Sequence, residues 1–251
     1  MLRSLYSNHR VAQHSDPTTR GHHVISKDLQ TRSTEVADFL RKSRAIRQVV
    51  TRQPRLIFAL DATASREPTW HQARQLHREM FSAASGTSLA IQLAYYRGFN
   101  EFHTSPWLSR ADELLAHMDA VHCVGGATQI VRLLRHYLSV GTPATPVRAL
   151  VFIGDALEEP SATILDLAGQ CGLKKQPVFV FQEGTDPQCA QSFEQLARLS
   201  GGAYARFDHS SADRLRELLG AVARYATGGR KALTSSGRDS DKLLLSQLPP
   251  E

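Results

Sequence analysis

The chain has 251 residues, a formal net charge of +6 and an apolar share of 41%, which predicts one medium-sized soluble domain with tails or two small domains. No stretch is long and apolar enough to span a membrane, and the first residues lack the apolar run of a secretory signal. The three cysteines, at positions 123, 171 and 189, are too few and too far apart for a disulfide framework or a zinc site. These features favour free thiols and a cytoplasmic location.

The positive charge is concentrated at the beginning of the chain. Residues 1–55 hold 11 Lys and Arg against 4 Asp and Glu, so the rest of the chain is close to neutral. Residues 1–32 are polar and have no periodicity, which predicts a disordered basic leader. Such a leader could be a solvated arm or could contact an acidic partner. Nucleic acid is a weaker alternative, because Tyr6 and Phe39 are the only aromatic side chains in residues 1–55 that could stack on bases.

An amphipathic helix is predicted over residues 33–53. Its apolar positions recur at helical spacing: Val36, Phe39, Leu40, Ile46, Val49 and Val50. We expect this face to pack on the following domain or on a partner.

A buried strand comes next, and it leads directly into polar side chains. Residues 55–60 read Arg-Leu-Ile-Phe-Ala-Leu, an apolar run typical of a strand that is buried on both faces. Asp61, Thr63 and Ser65 follow at alternate positions. Ligands of open parallel sheets bind at the carboxyl ends of strands. Three oxygen ligands at such an end suit a hard cation such as Mg²⁺.

Helices and strands then alternate up to residue 226, which predicts a parallel sheet with helices on both faces. The predicted helices are one with Trp70, Leu76 and Met80 on one face, one capped by Ser109, and others over 128–139, from 161 to 169, from Asp186 to Leu199 and around 213–222. The predicted strands are 89–96, an antiparallel edge strand at 101–103, 147–153, 177–181 and 203–207. Residues 227–251 have little pattern and predict a disordered tail.

Two later stretches complete a pattern with the first strand. Gly125-Gly126-Ala127-Thr128 precedes a predicted helix, and residues 151–155 form an apolar strand that ends in Asp155. Residues 54–226 thereby resemble the von Willebrand factor A (VWA) domain. That family carries a metal-ion-dependent adhesion site (MIDAS), written Asp-x-Ser-x-Ser, then a distant Thr and a distant Asp. The matching residues here are Asp61, Thr63, Ser65, Thr128 and Asp155, and the one departure is Thr63, which keeps the hydroxyl and adds a methyl group.

The resemblance implies a three-layer α-β-α fold around a mostly parallel six-stranded sheet in the order 3-2-1-4-5-6, with one antiparallel edge strand. It also implies that the five matching residues hold Mg²⁺ or Mn²⁺, and that an open coordination position takes an Asp or Glu from a protein partner. The type of domain implied is a bacterial intracellular interaction module without catalytic residues.

An enzyme is the alternative interpretation. Asp61-x-Thr63 and Gly154-Asp155 also resemble the haloacid dehalogenase phosphatases, in which Asp61 would be the nucleophile and Asp155 would bind Mg²⁺. That mechanism needs a cation to hold the phosphate, but no lysine occurs from Thr51 to Asp155, and Arg148 lies within a predicted strand.

Two other pairs of residues could carry chemistry. Glu158 and Glu159 could line the rim of the site or, as acids that open a helix, complement its dipole. His122 and Cys123 could indicate a metal or a nucleophile, but no second Cys or His pair stands at ligand spacing.

Overall fold

The computed structural model describes residues 36–42, 53–67, 89–208 and 212–250. The chain divides into two units, residues 1–50 and 51–251. In the first unit, residues 36–42 are helical and expose Val36, Phe39 and Leu40. Three predicted features lie wholly or partly outside the described residues: the leader 1–32, the rest of the predicted helix over 33–53, and the predicted helix that contains Trp70, Leu76 and Met80.

A six-stranded sheet forms the centre of the second unit. Its strands are β1 (Arg55–Asp61), β2 (Ala90–Arg97), β3 (Glu101–Thr104), β4 (Val147–Gly154), β5 (Val178–Glu183) and β6 (Tyr204–Phe207). The spatial order is β3-β2-β1-β4-β5-β6. Each neighbouring pair is parallel except β2 with β3, which is antiparallel. The predicted mostly parallel sheet, its strand order and its antiparallel edge strand are therefore confirmed.

Helices cover both faces of this sheet. They are α1 (Ala111–Asp119), α2 (Ile130–Val140), α3 (Ser161–Leu173), α4 (Pro187–Ser200), α5 (Ala212–Ser236) and α6 (Asp239–Leu245). The buried side chains form two cores, one on each face: α1, α5 and α6 contribute to the first core, and α2, α3 and α4 to the second. This arrangement confirms the predicted three-layer α-β-α architecture. Among the helices of the described residues, none has the length and apolarity that crossing a membrane requires.

Strand β1 contributes to both cores. Leu56, Phe58 and Leu60 pack into the first core, whereas Ile57 and Ala59 pack into the second. Since β1 lies between β2 and β4, both of its faces are covered by helices, and a continuous apolar run suits that position. Burial of a side chain such as Phe58 stabilises the fold by roughly 2–3 kcal/mol. The strand therefore gives a firm base to the loop that begins at its last residue.

Helix α4 begins and ends where its sequence predicts. The Asp186 carboxylate accepts hydrogen bonds from the backbone N–H groups of Gln188 and Cys189, and Pro187 occupies the first turn. Gly201 ends the helix with a φ of 76°, a left-handed conformation that glycine adopts without a steric penalty. The predicted Ser109 cap of α1 is wrong, because Arg110 takes the capping position and the Ser109 hydroxyl is hydrogen-bonded to the Gln53 side chain.

The C-terminal segment differs from the predicted disordered tail over 227–251. Helix α5 is interrupted at Gly229, where φ is 63°, and continues to Ser236 before α6 begins. Leu233, Leu244 and Leu248 are buried in the first core. Asp241 is fully buried and forms an ion pair with Arg224, with 2.6 Å between Oδ1 and Nη2. The sequence Gly228-Gly229, which suggested the end of the domain, is therefore a bend within it.

Candidate metal-binding site

The register of the sheet brings three carboxylates together at the carboxyl ends of its parallel strands, the end of the sheet that we call the carboxyl edge. Leu60 of β1 pairs with Ile153 of β4, and Gly154 of β4 pairs with Gln182 of β5. Asp61, Asp155 and Glu183 are each one residue further along, at the carboxyl ends of three neighbouring strands. The carboxyl edge of a parallel sheet is where ligands bind in α/β folds. Two of these carboxylates were predicted site residues, and Glu183 was not.

Asp61 is 1% exposed, and both of its carboxylate oxygens accept hydrogen bonds. The backbone N–H of Thr63 donates to Oδ1 at 2.8 Å, and the Tyr96 hydroxyl donates to Oδ2 at 2.9 Å. Burial raises the pKa of Asp61, while the bonds from Thr63 and Tyr96 lower it and the nearby Asp155 raises it. Burial and the Asp61 carboxylate also hold the pKa of Tyr96 well above 10.0, so the phenol remains a hydrogen-bond donor.

Thr63 and Ser65 place their hydroxyl groups together. Thr63 precedes a short 3₁₀ turn, Ala64–Arg66, in an extended conformation. Its Oγ1 lies 3.2 Å from the Ser65 Oγ. Thr63 is 8% exposed, whereas Ser65 is exposed. The loop therefore carries a pair of oxygen donors directly after the Asp61 carboxylate.

Thr128 reaches the site on a loop that is packed closely against the β2–β3 turn. The N–H of Ala127 donates to the carbonyl of Gly98 at 3.2 Å. A Cβ at Gly126 would come within 1.9 Å of that carbonyl oxygen, so only glycine fits there. Two hydrogen bonds join Thr128 to Glu158. The Thr128 N–H donates to the Glu158 carboxylate at 2.9 Å, and the Glu158 N–H donates to the Thr128 Oγ1 at 3.0 Å.

Of the two roles predicted for Glu158 and Glu159, the rim of the site or the dipole of the helix that they precede, the structure contradicts the second. The Glu159 carboxylate accepts the backbone N–H groups of Ile130 and Val131, the first residues of α2, at 2.5 and 2.9 Å. The acids therefore complement the amino end of α2 and its loop rather than α3, the helix that they precede. The sequence could not indicate this, because α2 lies about thirty residues earlier in the chain.

Asp155 is half-buried at the end of β4. Its Oδ1 is enclosed, and no hydrogen-bond partner for it lies among the described residues. The Asp155 charge acts on Asp61, Arg66 and Tyr96, which places its carboxylate among them. A buried carboxylate oxygen without a donor costs about 1–3 kcal/mol or more, and a bound cation would satisfy it.

Arg66 and Glu183 form a buried ion pair that the sequence analysis missed. The Arg66 Nη1 contacts the Glu183 Oε2, and the two residues are 1% and 4% exposed. Burial lowers the pKa of Arg66, while the charges of Asp155 and Asp61 raise it. The one available signal was the position of Arg66, directly after the Asp-x-Thr-x-Ser motif.

The cysteines do not suggest nucleophile chemistry. All three are free. Burial raises the pKa of Cys123 to about 11, and that of Cys171 and Cys189 to about 12. A thiol with such a pKa stays protonated at neutral pH, whereas reactive cysteines are thiolates.

The described residues contain no group of three or more His, Cys, Asp or Glu side chains that could hold a metal ion by themselves. A cation at the carboxyl edge would therefore depend on the hydroxyl groups as well as on Asp61 and Asp155. This donor set of oxygens suits a hard cation. Its fit is supported by the enclosed Oδ1 of Asp155, which lacks a donor among the described residues.

Solved structures of other proteins share this fold. BatB, a conserved hypothetical protein from Bacteroides thetaiotaomicron, is 17% identical with a TM-score of 0.52, over 65% of this chain and 95% of that chain. The SpRpn10 VWA domain is 9% identical with a TM-score of 0.53, over 65% and 95%. Proximal thread matrix protein 1 from the mussel byssus, with a zinc-occupied MIDAS motif, is 10% identical with a TM-score of 0.54, over 68% and 46%.

Identities this low establish the fold alone, and the fold is that of a VWA domain. No protein-family model matches the chain. A search of the curated proteins also finds no match.

The phosphatase interpretation gains no support from this geometry. Arg148 is the second residue of β4, at the end of the sheet opposite to Asp61. Arg66 lies near Asp61, but it is buried against Glu183. The guanidinium of Arg66 is thus already engaged by the carboxylates of the protein.

Proposed function

We propose that this VWA-fold domain is a protein-interaction module that binds Mg²⁺ or Mn²⁺ at the carboxyl edge of its sheet. Asp61, Thr63, Ser65, Thr128 and Asp155 would hold the cation. An Asp or Glu of a protein partner would complete its coordination. The cation would supply a positive centre that attracts this carboxylate, and we assign no catalytic residue.

The observation that carries the proposal is the charge of the edge. Asp61, Asp155 and Glu183 contribute three negative charges, and Arg66 contributes one positive charge, so the buried or half-buried group has a net charge of about −2. Isolated buried charges are costly, and such groups are normally paired or coordinate metals. A divalent cation would neutralise this group and would provide the missing partner for the Asp155 Oδ1.

The hydroxyl groups are compatible with this role. The Thr128 Oγ1 accepts one N–H from Glu158 and retains a second lone pair. The Thr63 and Ser65 oxygens adjoin each other on the loop after Asp61. A solved neighbour, the mussel byssus protein, carries a divalent cation at its own MIDAS motif, which makes a metal at this edge of the fold reasonable here.

The proposal also covers the subcellular location of the protein and the role of its basic leader. The three free cysteines suit a reducing compartment, and we infer a cytoplasmic location. The basic leader, residues 1–32, would contact an acidic partner through its charge.

Calorimetric titration of Mg²⁺ and Mn²⁺ into the metal-stripped full chain tests the site. We expect saturable binding in the parent protein and none in Asp61→Ala, because the central carboxylate is lost. Asp166→Ala is the matched control, since it removes an exposed carboxylate of α3 and should bind metal like the parent.

Partner capture from cell extract, with and without chelator, tests the second step. Partners that depend on the metal should be lost with chelator and with Asp61→Ala alike. Metal binding that is equal in Asp61→Ala and the parent would refute the proposed site. Partners that persist in both conditions would refute metal-mediated capture.

A further inference from the structure

Arg66 crosses the candidate site. It leaves the loop after β1 and forms its ion pair with Glu183 at the end of β5. Strand β4 lies between β1 and β5 in the sheet. The side chain must therefore pass over the end of β4, where Asp155 stands. The charges of Asp155 and Asp61 both act on its guanidinium, in agreement with this path.

This cation belongs to the loop that carries the proposed ligands. Ser65 immediately precedes Arg66, and Thr63 accepts the Arg66 backbone N–H at 3.0 Å. The guanidinium is withdrawn from water, with 1% of the residue exposed. At low local dielectric, its charge acts strongly on neighbouring charges. Any second cation at this edge would bind in the field of Arg66.

We propose that Arg66 is a resident cation that limits the metal affinity of the site, and that Glu183 offsets it. This inference rests on the proposed metal-binding function. In the metal-free protein, Arg66 stabilises the carboxylates of Asp61 and Asp155. When a divalent cation binds, Arg66 repels it, and Glu183 reduces that repulsion. Arg66 and Glu183 thus adjust the affinity of the site through their charges and are not metal ligands.

The two residues have opposite effects in this scheme. Replacement of Arg66 by Met changes the net charge of the edge from about −2 to −3, so metal affinity rises. Replacement of Glu183 by Gln changes it to about −1, so metal affinity falls. The double variant restores about −2. A purely structural pair would behave differently, because either single change would loosen the site and the double change would not repair it.

The experiment measures Mg²⁺ and Mn²⁺ affinity and the melting temperature in chelator for full-length Arg66→Met, Glu183→Gln and the double variant. We expect affinity to rise about tenfold in Arg66→Met, to fall about tenfold in Glu183→Gln and to return to within about threefold of the parent in the double variant. In chelator, Arg66→Met should melt below the parent. Arg110→Met and Asp112→Asn are the matched controls, since they change the charges of an exposed pair and should leave the affinity unchanged.

Two results would overturn the inference, and they are distinguishable. If the parent binds metal and Arg66→Met binds it equally or more weakly while still folded, Arg66 does not limit affinity, although the metal site stands. If neither the parent nor Arg66→Met binds metal, the proposed metal-binding function fails as well. Metal binding by Arg66→Met alone would support the inference. Should Arg66→Met not fold, the double variant decides the matter: an affinity within about threefold of the parent supports the inference, and an affinity as low as that of Glu183→Gln overturns it.

Discussion

The two ends of the sheet differ in whether their charged side chains are buried or exposed. At the carboxyl edge, Asp61, Arg66 and Glu183 are almost fully buried. At the opposite end of the strands, the amino edge, there is a cavity of about 820 Å³. It is lined by the exposed cations Arg148, Lys174 and Lys175, together with residues 225–229. A cavity of that size is typical of small-molecule sites, yet its charged groups remain in contact with solvent.

Burial of charge is the more informative of the two features. Withdrawing an ion from water costs several kcal/mol unless partners compensate it, whereas exposed lysines around a groove cost little. The carboxyl edge therefore carries the stronger indication of function.

The largest effect that we predict concerns the buried ion pair of Arg224 with Asp241, which lies outside the carboxyl edge. Asp241→Ala leaves the partly buried Arg224 guanidinium without its carboxylate, and it should lower the free energy of unfolding by about 3 kcal/mol. Chemical denaturation measures this value. If the two ends are functionally distinct, the metal affinity of this variant should stay at the parent value.

Asp239→Ala is the control for that prediction. It removes an exposed carboxylate from the same helix, where Asp239 pairs with Lys242 at the surface, and it should change stability by less than about 0.5 kcal/mol. Equal losses from the two variants would contradict a structural role for the buried pair.

A smaller effect is expected from Tyr96→Phe at the carboxyl edge. This change removes the hydrogen bond to Asp61 that lowers its pKa. The pKa of Asp61, already raised by burial, should rise further. Metal ligands must be deprotonated, so metal affinity should begin to fall at a higher pH than in the parent. The stability cost should be about 1 kcal/mol. Titrations at several pH values measure the shift.

The pH dependence of the stability of the metal-free protein follows from the same pKa of Asp61. Because folding raises the pKa of Asp61 above 3.8, this group contributes stability that is present below pH 3.8 and is lost as the pH rises through the folded pKa. Tyr95→Phe is the control, since that neighbouring ring stacks on His103. A pH profile identical to the parent in Tyr96→Phe would contradict the role assigned to the phenol.

The smallest effect is expected at the amino edge, in Lys175→Gly. Lys175 has a φ of 54°, the left-handed region that glycine enters more readily. The change should raise the free energy of unfolding by less than about 1 kcal/mol, and thermal unfolding would detect it. The control is Lys174→Gly, at the preceding residue. Lys174 has a φ of −84°, so this change should not stabilise the protein. Loss of metal affinity in Lys175→Gly would break the distinction between the two ends.

Apolar periodicity predicted the strands and helices because it directly reflects burial, whereas the strand order followed only from the resemblance to VWA domains. The apolar run from Leu56 to Leu60 predicted a central strand buried on both faces, and β1 is such a strand. The same approach located Asp61 and Asp155 at strand ends. Their assignment as metal ligands stays a prediction.

The partners of these residues could not be predicted from the sequence. Arg66 and Glu183 are more than a hundred residues apart, and their contact depends on the strand order and on the level at which β5 ends. Neither residue belongs to an apolar periodic pattern that would have predicted its burial. The C-terminal segment was misjudged for another reason: Leu233, Leu244 and Leu248 are sparse in the sequence and become one apolar surface only after the bend at Gly229.

The close contact between Gly126 and Gly98 has a mechanical consequence. With no room for even one additional carbon between the two loops, the segment that carries Thr128 and the β2–β3 hairpin turn must move together. The tip of that hairpin includes Phe99, which is 85% exposed. The loop that carries Thr128 is therefore tied by direct backbone packing to an aromatic ring on the outer surface.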